Sequence, residues 1–353
     1  MPLVEPLIRK VSDTARCVAF YRAEESSREQ IARSGHCTRK IRGRSSPSFP
    51  TILLISTAHM RAGAIFGLGC SPKNLKPFQT DTSINWRIGL PAAADQADII
   101  LLFGGDGTIH RNLSQLVKLG VPVLIVPAGS GNDFARALGL RHVRDSLAAW
   151  RRFCARRDNV RTIDLGVITP LANAGGTPAP HDSRHYFCSV AGVGLDGEVA
   201  RHANGLPRWL RGHGGYALAL APAIFRFAPL PVKILAPEAD GWTTRSDQPT
   251  LLAAFANTST YGGGMKIAPH AQIDDGQLDV CVIGGIDAFK LFCMFPTIYS
   301  GRHLGIREVK YFRAARLRVK TESPLDVYAD GEYVCRTPAE VSVQNKALKV
   351  LTP

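Results

Sequence analysis

The sequence predicts an α/β N-terminal domain with a parallel sheet, followed by a β-sandwich-like C-terminal domain. Three observations carry this. Two strand–glycine loop–helix units follow one another between Ile99 and Leu138, the pattern of a parallel sheet with crossover helices. After about Arg161 the texture changes to short apolar segments separated by turn residues, as in a sandwich. The 33 glycines and 23 prolines supply the tight turns such a half requires.

Taken in order, residues 1–59 read as a basic, disordered extension. The first fifty carry ten Lys/Arg against five Asp/Glu, with a Ser/Arg-rich run from Arg39 to Ser48 and no apolar period. Met60 is an alternative start under that reading. Either Thr51 to Ser56 or Ala62 to Phe66 is the first strand. The second is favoured, because Gly67 to Ser71 then forms the loop and Ser71-Pro72 is a good helix start. Ile99 to Phe103 is a continuous apolar run, hence a buried parallel strand. Ile109 to Leu119 has a helical period, Val121 to Val126 is a second buried strand, and helices follow at about Phe134 to Leu138 and Asp145 to Cys154.

These elements place a nucleotide-binding α/β domain at 60–160 and a β-rich substrate domain at 161–353, whose extreme C-terminus is free to pack back on the first. Within the latter, strands are predicted at Thr162 to Ile168, Tyr186 to Val190, Val232 to Leu235, Leu251 to Ala256, Leu278 to Ile283, Ala315 to Val319 and Leu325 to Tyr328. Helical pattern interrupts them at Leu206 to Phe227 and near Ala288 to Tyr299.

Charge and cysteine usage narrow the function classes. A net charge of +14 over 353 residues favours an anionic partner, a headgroup plane or a polyphosphate. The basic residues lack the aromatic interleaving of a base-stacking face, so no nucleic-acid partner is expected. Eight cysteines, at 17, 37, 70, 154, 188, 281, 293 and 335, form no Cys-x-x-Cys pair. They read as reduced thiols of a cytoplasmic protein, not a zinc site or disulfide framework. The most apolar stretch, Tyr216 to Pro237, contains Arg226, Lys233 and several prolines, so no helical span is expected. No signal-peptide order opens the chain. Membrane contact is therefore expected to be peripheral.

The chemistry-bearing signal is Gly104-Gly105-Asp106-Gly107-Thr108, where a buried strand ends and a helix begins. Glycines let backbone N–H groups approach a phosphate, and the helix directs its positive end at the same spot. Thr108 can donate a hydroxyl hydrogen bond. Asp106 would repel phosphate, so its natural tasks are orienting the loop or holding Mg²⁺ through water. A plain strand-to-helix turn is the bland alternative. The second loop, Gly129-Ser130-Gly131-Asn132-Asp133, follows the next strand, and two such loops form a crevice where ligands bind in open α/β sheets. Neither is a Gly-x-x-x-x-Gly-Lys-[Ser/Thr] loop.

Together these loops resemble the catalytic domain of the diacylglycerol kinase family, which includes sphingosine, ceramide and bacterial lipid kinases. The resemblance continues in order. It runs through Val193-Gly194-Leu195-Asp196-Gly197-Glu198-Val199, Tyr261-Gly262-Gly263-Gly264-Met265 with Ala268-Pro269, Asp274-Asp275-Gly276-Gln277-Leu278-Asp279-Val280, and Asp330-Gly331-Glu332. It spans roughly residues 60 to 345 and implies a diacylglycerol kinase/NAD kinase-like fold with Mg²⁺ and ATP.

By that resemblance ATP lies across Gly104, Gly105, Asp106, Gly107, Thr108, Ile109 and His110, with Ser130, Gly131, Asn132 and Asp133 beside it. Ser130 stands where the family usually has threonine. Asp330 and Glu332 are the implied catalytic residues facing the γ-phosphate, with Glu332 the proton acceptor for a lipid hydroxyl. Taken alone, Asp-Gly-Glu would be a hairpin turn. A structural Mg²⁺ is implied at Asp275 with the carbonyls of Gln272 and Gln277, an Asp-Gly turn without metal being the alternative. The chain departs from the family at three places. His110 replaces the usual Glu or Asn, and its default reading is a solvated loop histidine. No clean Asn-Pro-x-Ser-Gly loop occurs, and Leu195 and Gly197 flank Asp196 in place of Phe and Ala.

The reading is thus an ATP-dependent lipid kinase at a peripheral membrane surface, with the apolar region Trp209 to Phe227 either docking on a bilayer or packing in the core. An NAD kinase and a catalytically inactive nucleotide- or membrane-binding module are the alternatives. The run Pro127 to Arg136 speaks against the NAD kinase, and Asp106, Asn132, Asp330 and Glu332 speak against the inactive module. The oligomeric state is left open, a homodimer included.

Overall fold

The parallel part of the sheet forms where the sequence is continuously apolar, because only strands covered on both faces tolerate such runs. A computed structural model describes residues 60–171, 184–195, 197, 228–239 and 241–353. The extension at 1–59, the motif residues Asp196, Glu198 and Val199, and the helical region at 206–227 lie outside the described residues.

The first strands are β1 (Met60–Phe66), β2 (Ile84–Ile88), β3 (Ile99–Gly104) and β4 (Val123–Pro127), paired in parallel in the order β4-β3-β1-β2. The favoured first strand, Ala62 to Phe66, forms within β1, and the alternative at Thr51 to Ser56 lies outside the described residues. Ser71 caps the helix that follows, which is a 3₁₀ turn over Pro72–Phe78 rather than an α-helix. Helices α1 (Asp106–Leu119), α2 (Asp133–Ala137) and α3 (Val143–Arg156) fall within a few residues of their predicted positions. Ile109, Leu113 and Leu116 of α1 and Trp150 and Phe153 of α3 cover the buried strands.

The second half is antiparallel. It comprises β5 (Val160–Pro170), β6 (His185–Phe187), β7 (Val190–Gly194), β8 (Leu230–Glu238), β9 (Gly241–Ala256) and β10 (Leu278–Gly284). Helix α4 (Ala288–Ser300) follows, then β11 (Val309–Ala314), β12 (Arg316–Thr321), β13 (Asp326–Ala329), β14 (Glu332–Arg336) and β15 (Ala339–Leu351). The segment read as one strand, Tyr186 to Val190, is two. The chain bends at Cys188–Ser189, and those two amides are used by another element, described below. Strands β2, β11, β14 and β15 were not legible as apolar runs because polar and charged residues interrupt them, as in Glu340 to Lys349 of β15.

The two halves share one sheet. Its path is β14-β13-β7-β9-β8-β12-β15-β4-β3-β1-β2, with β5 on β15 and β10 on β9. Strand β15 joins them: Val350 pairs in parallel with Val123 of β4, while Ala339 to Leu351 runs antiparallel to β5. The described residues belong to one compact unit, and the glycine loops at the ends of β3 and β4 face residues of the second half across it.

Candidate active site

Strand β3 delivers Gly104 and Gly105 to the start of α1, whose first turn is Asp106 to Ile109. Three loops meet there. The Gly67 amide donates to the Phe103 carbonyl at 2.6 Å and the Ala128 amide to the Gly104 carbonyl at 3.1 Å. The loop Gly67 to Ser71, which the sequence left as an alternative, thus flanks the phosphate-type loop on one side. The loop after β4 flanks it on the other. A Cβ on Gly129 would lie 2.4 Å from the Gly105 Cα, and one on Gly105 would lie 2.8 Å from the Gly129 Cα. The two backbones touch, and only glycine permits that approach. Thr108 is buried with its hydroxyl oxygen beneath Gly67.

Asp106 performs the first of its two predicted tasks. Its Oδ2 accepts from the Asp133 amide and its Oδ1 from the Phe134 amide, both at 3.1 Å. It therefore ties the second loop to the first and caps α2. Burial, with the Asp133 carboxylate nearby, pushes its pKa up to about 6. Asn132 closes the loop from within. Its side chain accepts from the Gly129 amide at 2.9 Å and donates to the Gly129 carbonyl at 2.7 Å, with a left-handed φ of 56° that Asn tolerates. Ser130 is exposed and Gly131 half-buried. Asp133 pairs with Arg136 and accepts from the Gly263 amide at 2.7 Å, which seats the Tyr261 to Met265 turn on the second loop.

The acidic triplet is also a hairpin turn. Asp330 and Gly331 join β13 to β14 with φ of 51° and 85°, both positive as a type I′ turn requires. The turn aims its two carboxylates in different directions. Asp330 points inward and is fully enclosed. Its Oδ1 accepts from the Ser189 amide at 2.8 Å, and its Oδ2 from the Cys188 amide at 2.9 Å. Glu332 points outward over the phosphate-type loop. A Cβ on Gly107 would lie 2.9 Å from Glu332 Oε1, and Arg111 Nη1 is 3.3 Å from the same oxygen. The Glu332 side chain is 41% exposed, which leaves it accessible from the cleft.

His110 is not a solvated loop residue. It occupies the first turns of α1 with its side chain 15% exposed, and its Nδ1 lies 3.2 Å from Asp330 Oδ2. The helical start at Asp106 brings it round to the second half, which sequence spacing could not show. Burial opposes charge on the ring, but the Asp330 hydrogen bond and the Asp330 and Glu332 charges outweigh it and raise the pKa. Arg111, which the sequence reading passed over, and the Cys188 and Ser189 amides complete this junction. Arg111's only sequence signal is its place next to His110.

The loop at 272–279 lies apart from these groups. Asp164 accepts from the Gly276 and Lys346 amides at 2.8 and 2.7 Å, so the loop is built on β5. Asp275 accepts from the Gln277 amide at 3.0 Å and its other oxygen is held by the Arg313 guanidinium. In this arrangement the Asp275 carboxylate is neutralised by Arg313. Among the described residues no group of three or more His, Cys, Asp or Glu is arranged to hold one.

Comparison with known proteins places this geometry. Residues 81–168 match the family described as diacylglycerol kinase catalytic domain, and residues 189–352 match the YegS C-terminal NAD kinase beta sandwich-like domain. A Mycobacterium tuberculosis diacylglycerol kinase is 35% identical over 268 residues, covering 74% of this chain and 79% of that protein. A Bacillus subtilis diacylglycerol kinase is 27% identical, covering 74% and 80%. The crystal structure of a diacylglycerol kinase from Bacillus anthracis superposes with a TM-score of 0.56 at 17% identity, covering 84% of this chain and 97% of that one. The chain belongs to the diacylglycerol kinase family, a family of phosphotransferases that use a nucleotide. No helix among the described residues is long and apolar enough to cross a membrane.

Proposed function

We propose that the chain is an ATP-dependent kinase of diacylglycerol or a closely related lipid. It acts in the cytoplasm at a peripheral membrane surface. The observation that carries this reading is the position of Glu332, an accessible carboxylate brought from the second half onto Gly107 of the first glycine loop.

The loop amides and the N-terminus of α1 bind the nucleotide phosphates. Glu332 takes the proton of the lipid hydroxyl as its oxygen bonds to the γ-phosphorus and the bond to the bridging oxygen of ADP breaks. Arg111 fixes that carboxylate. Asp330 and Asp106 act by position, the one joining the halves through His110, the other joining the loops. Mg²⁺, carried on the nucleotide, supplies neutralisation of charge on the transferred group.

The test is a γ-labelled ATP assay with Mg²⁺ against diacylglycerol, sphingosine, ceramide, phosphatidylglycerol and NAD, with Glu332→Ala as the control. Label is expected in diacylglycerol or a near relative, and absent with the variant. Label in NAD alone overturns the lipid substrate, and wild-type turnover by Glu332→Ala overturns the base.

A further inference from the structure

Helix α4 is apolar on both sides. Leu291, Met294 and Ile298 are buried, yet the opposite stripe is also apolar. Phe289 is 73% and Tyr299 42% exposed, and Cys293 and Pro296 between them are exposed too. Lys290 is the single charge in its 13 residues. A surface helix of a water-soluble domain keeps its outer face polar, and an outer face of this kind marks a contact with something apolar.

The rim of that stripe is basic. Lys266, whose amide donates to the Ile298 carbonyl at 3.1 Å, is exposed, as are Arg302 and Arg307 just beyond the helix. None of these three makes an ion pair among the described residues. The acids nearby are already engaged: Asp287 caps the helix at the Lys290 amide, and Glu308 pairs with Lys290. An apolar stripe with aromatic residues, bordered by exposed cations, is the composition of a helix lying in the interface of an anionic bilayer.

The helix also adjoins the candidate site. The Ile298 carbonyl of its last turn accepts from the Lys266 amide, the Tyr261 to Met265 turn precedes that residue, and Gly263 of this turn donates to Asp133 of the second glycine loop. We infer that the outer face of α4, with Lys266, Arg302 and Arg307, is the surface by which this chain docks on anionic lipid, holding the mouth of the nucleotide cleft at the headgroup plane. This rests on the lipid kinase reading for its purpose, though not for its geometry. A second copy of the chain fits the face less well, since an isologous contact would set the same cations against one another.

Flotation with vesicles of phosphatidylglycerol and phosphatidylcholine, compared with phosphatidylcholine alone, tests the surface on the full chain. Wild-type protein is expected to float with the anionic vesicles and to be released by salt. Phe289→Asp, Tyr299→Ser, and the Lys266→Glu, Arg302→Glu, Arg307→Glu triple variant should each lower the partition by about tenfold or more. Unchanged melting would show that these exposed changes spare the fold. Activity on a short-chain, water-dispersed diacylglycerol should be kept by all three variants, while activity on vesicles falls with binding. Wild-type protein that ignores anionic vesicles, or variants that float like it, overturns the docking surface whatever the activity. Vesicle binding through α4 without phosphorylation of any lipid overturns the kinase reading alone. A dimer that Phe289→Asp dissociates, with no vesicle binding, assigns the face to a second copy and overturns the lipid proposal.

Discussion

Asp106 holds Asp133 by its backbone: the Asp133 amide donates to Asp106 Oδ2 at 3.1 Å while the next amide, of Phe134, donates to Oδ1. A carboxylate in the first glycine loop is therefore the cap of the helix that leaves the second. Asp106→Ala strands both amides in a buried place and should cost about 1–3 kcal/mol of stability. Nucleotide affinity should fall with it, because the two loops are no longer registered. Urea denaturation and nucleotide titration of the same preparation check both.

Two neighbouring glycines should fail differently. A Cβ at position 129 meets the Gly105 Cα, backbone against backbone, so Gly129→Ala should impair folding and yield. A Cβ at position 107 meets the Glu332 carboxylate at 2.9 Å, the free end of a long side chain that can swing aside. Gly107→Ala should therefore keep wild-type melting and lose turnover, as far as the roughly 10²–10⁴ that general-base help contributes. Calorimetry beside single-turnover rates separates the two cases.

Asp330→Ala leaves the Cys188 and Ser189 amides and His110 without their acceptor, in a side-chain site with no exposure. A loss of roughly 3 kcal/mol or more is expected. Asp330→Asn tolerates the left-handed φ of 51° and keeps one acceptor oxygen, so it should lose less. Denaturant midpoints in the order wild type, Asn, Ala are the expected result. Equal midpoints for wild type and Ala would contradict the assigned role.

The His110–Asp330 contact should make stability depend on pH. The folded His110 pKa is raised from its usual 6.5, so the folded state holds the proton more tightly than the unfolded chain. The stabilisation is complete below about pH 6.5 and is lost as pH rises through the raised value. The difference in melting temperature between wild type and His110→Asn should be larger at acid pH than at alkaline pH. A gap that widens with rising pH would reverse the sign of the coupling.

Local chemistry made much of this legible. Ile99 to Phe103 and Val123 to Val126 are buried parallel strands because no other environment suits such runs, and the glycines after them follow from the close approach of backbones. The Asp330-Gly331 turn was equally readable, since the dipeptide suits two positive φ values. The side chains were not. Asp330 and Glu332 are two residues apart, yet one is enclosed by the Cys188 and Ser189 amides and His110 and the other lies open above Gly107. His110 read as an exposed residue until the helix start at Asp106 turned it toward a carboxylate 220 positions away.

By itself, the chain's order of residues determined the two glycine loops and the strands that deliver them, because each is set by its sequence neighbours, and it determined the kinase family through short motifs that follow one another in order along the chain. The tertiary structure alone decided which carboxylate is spent on backbone amides and which stays open, that Arg313 claims Asp275, and that α4 shows an apolar face outward. Those outcomes depend on strand pairings that set distant segments side by side, β10 with β11 for Arg313 and Asp275, β13 with β7 for Asp330. The energy of a buried hydrogen bond or ion pair depends on that proximity, and spacing along the chain does not encode it.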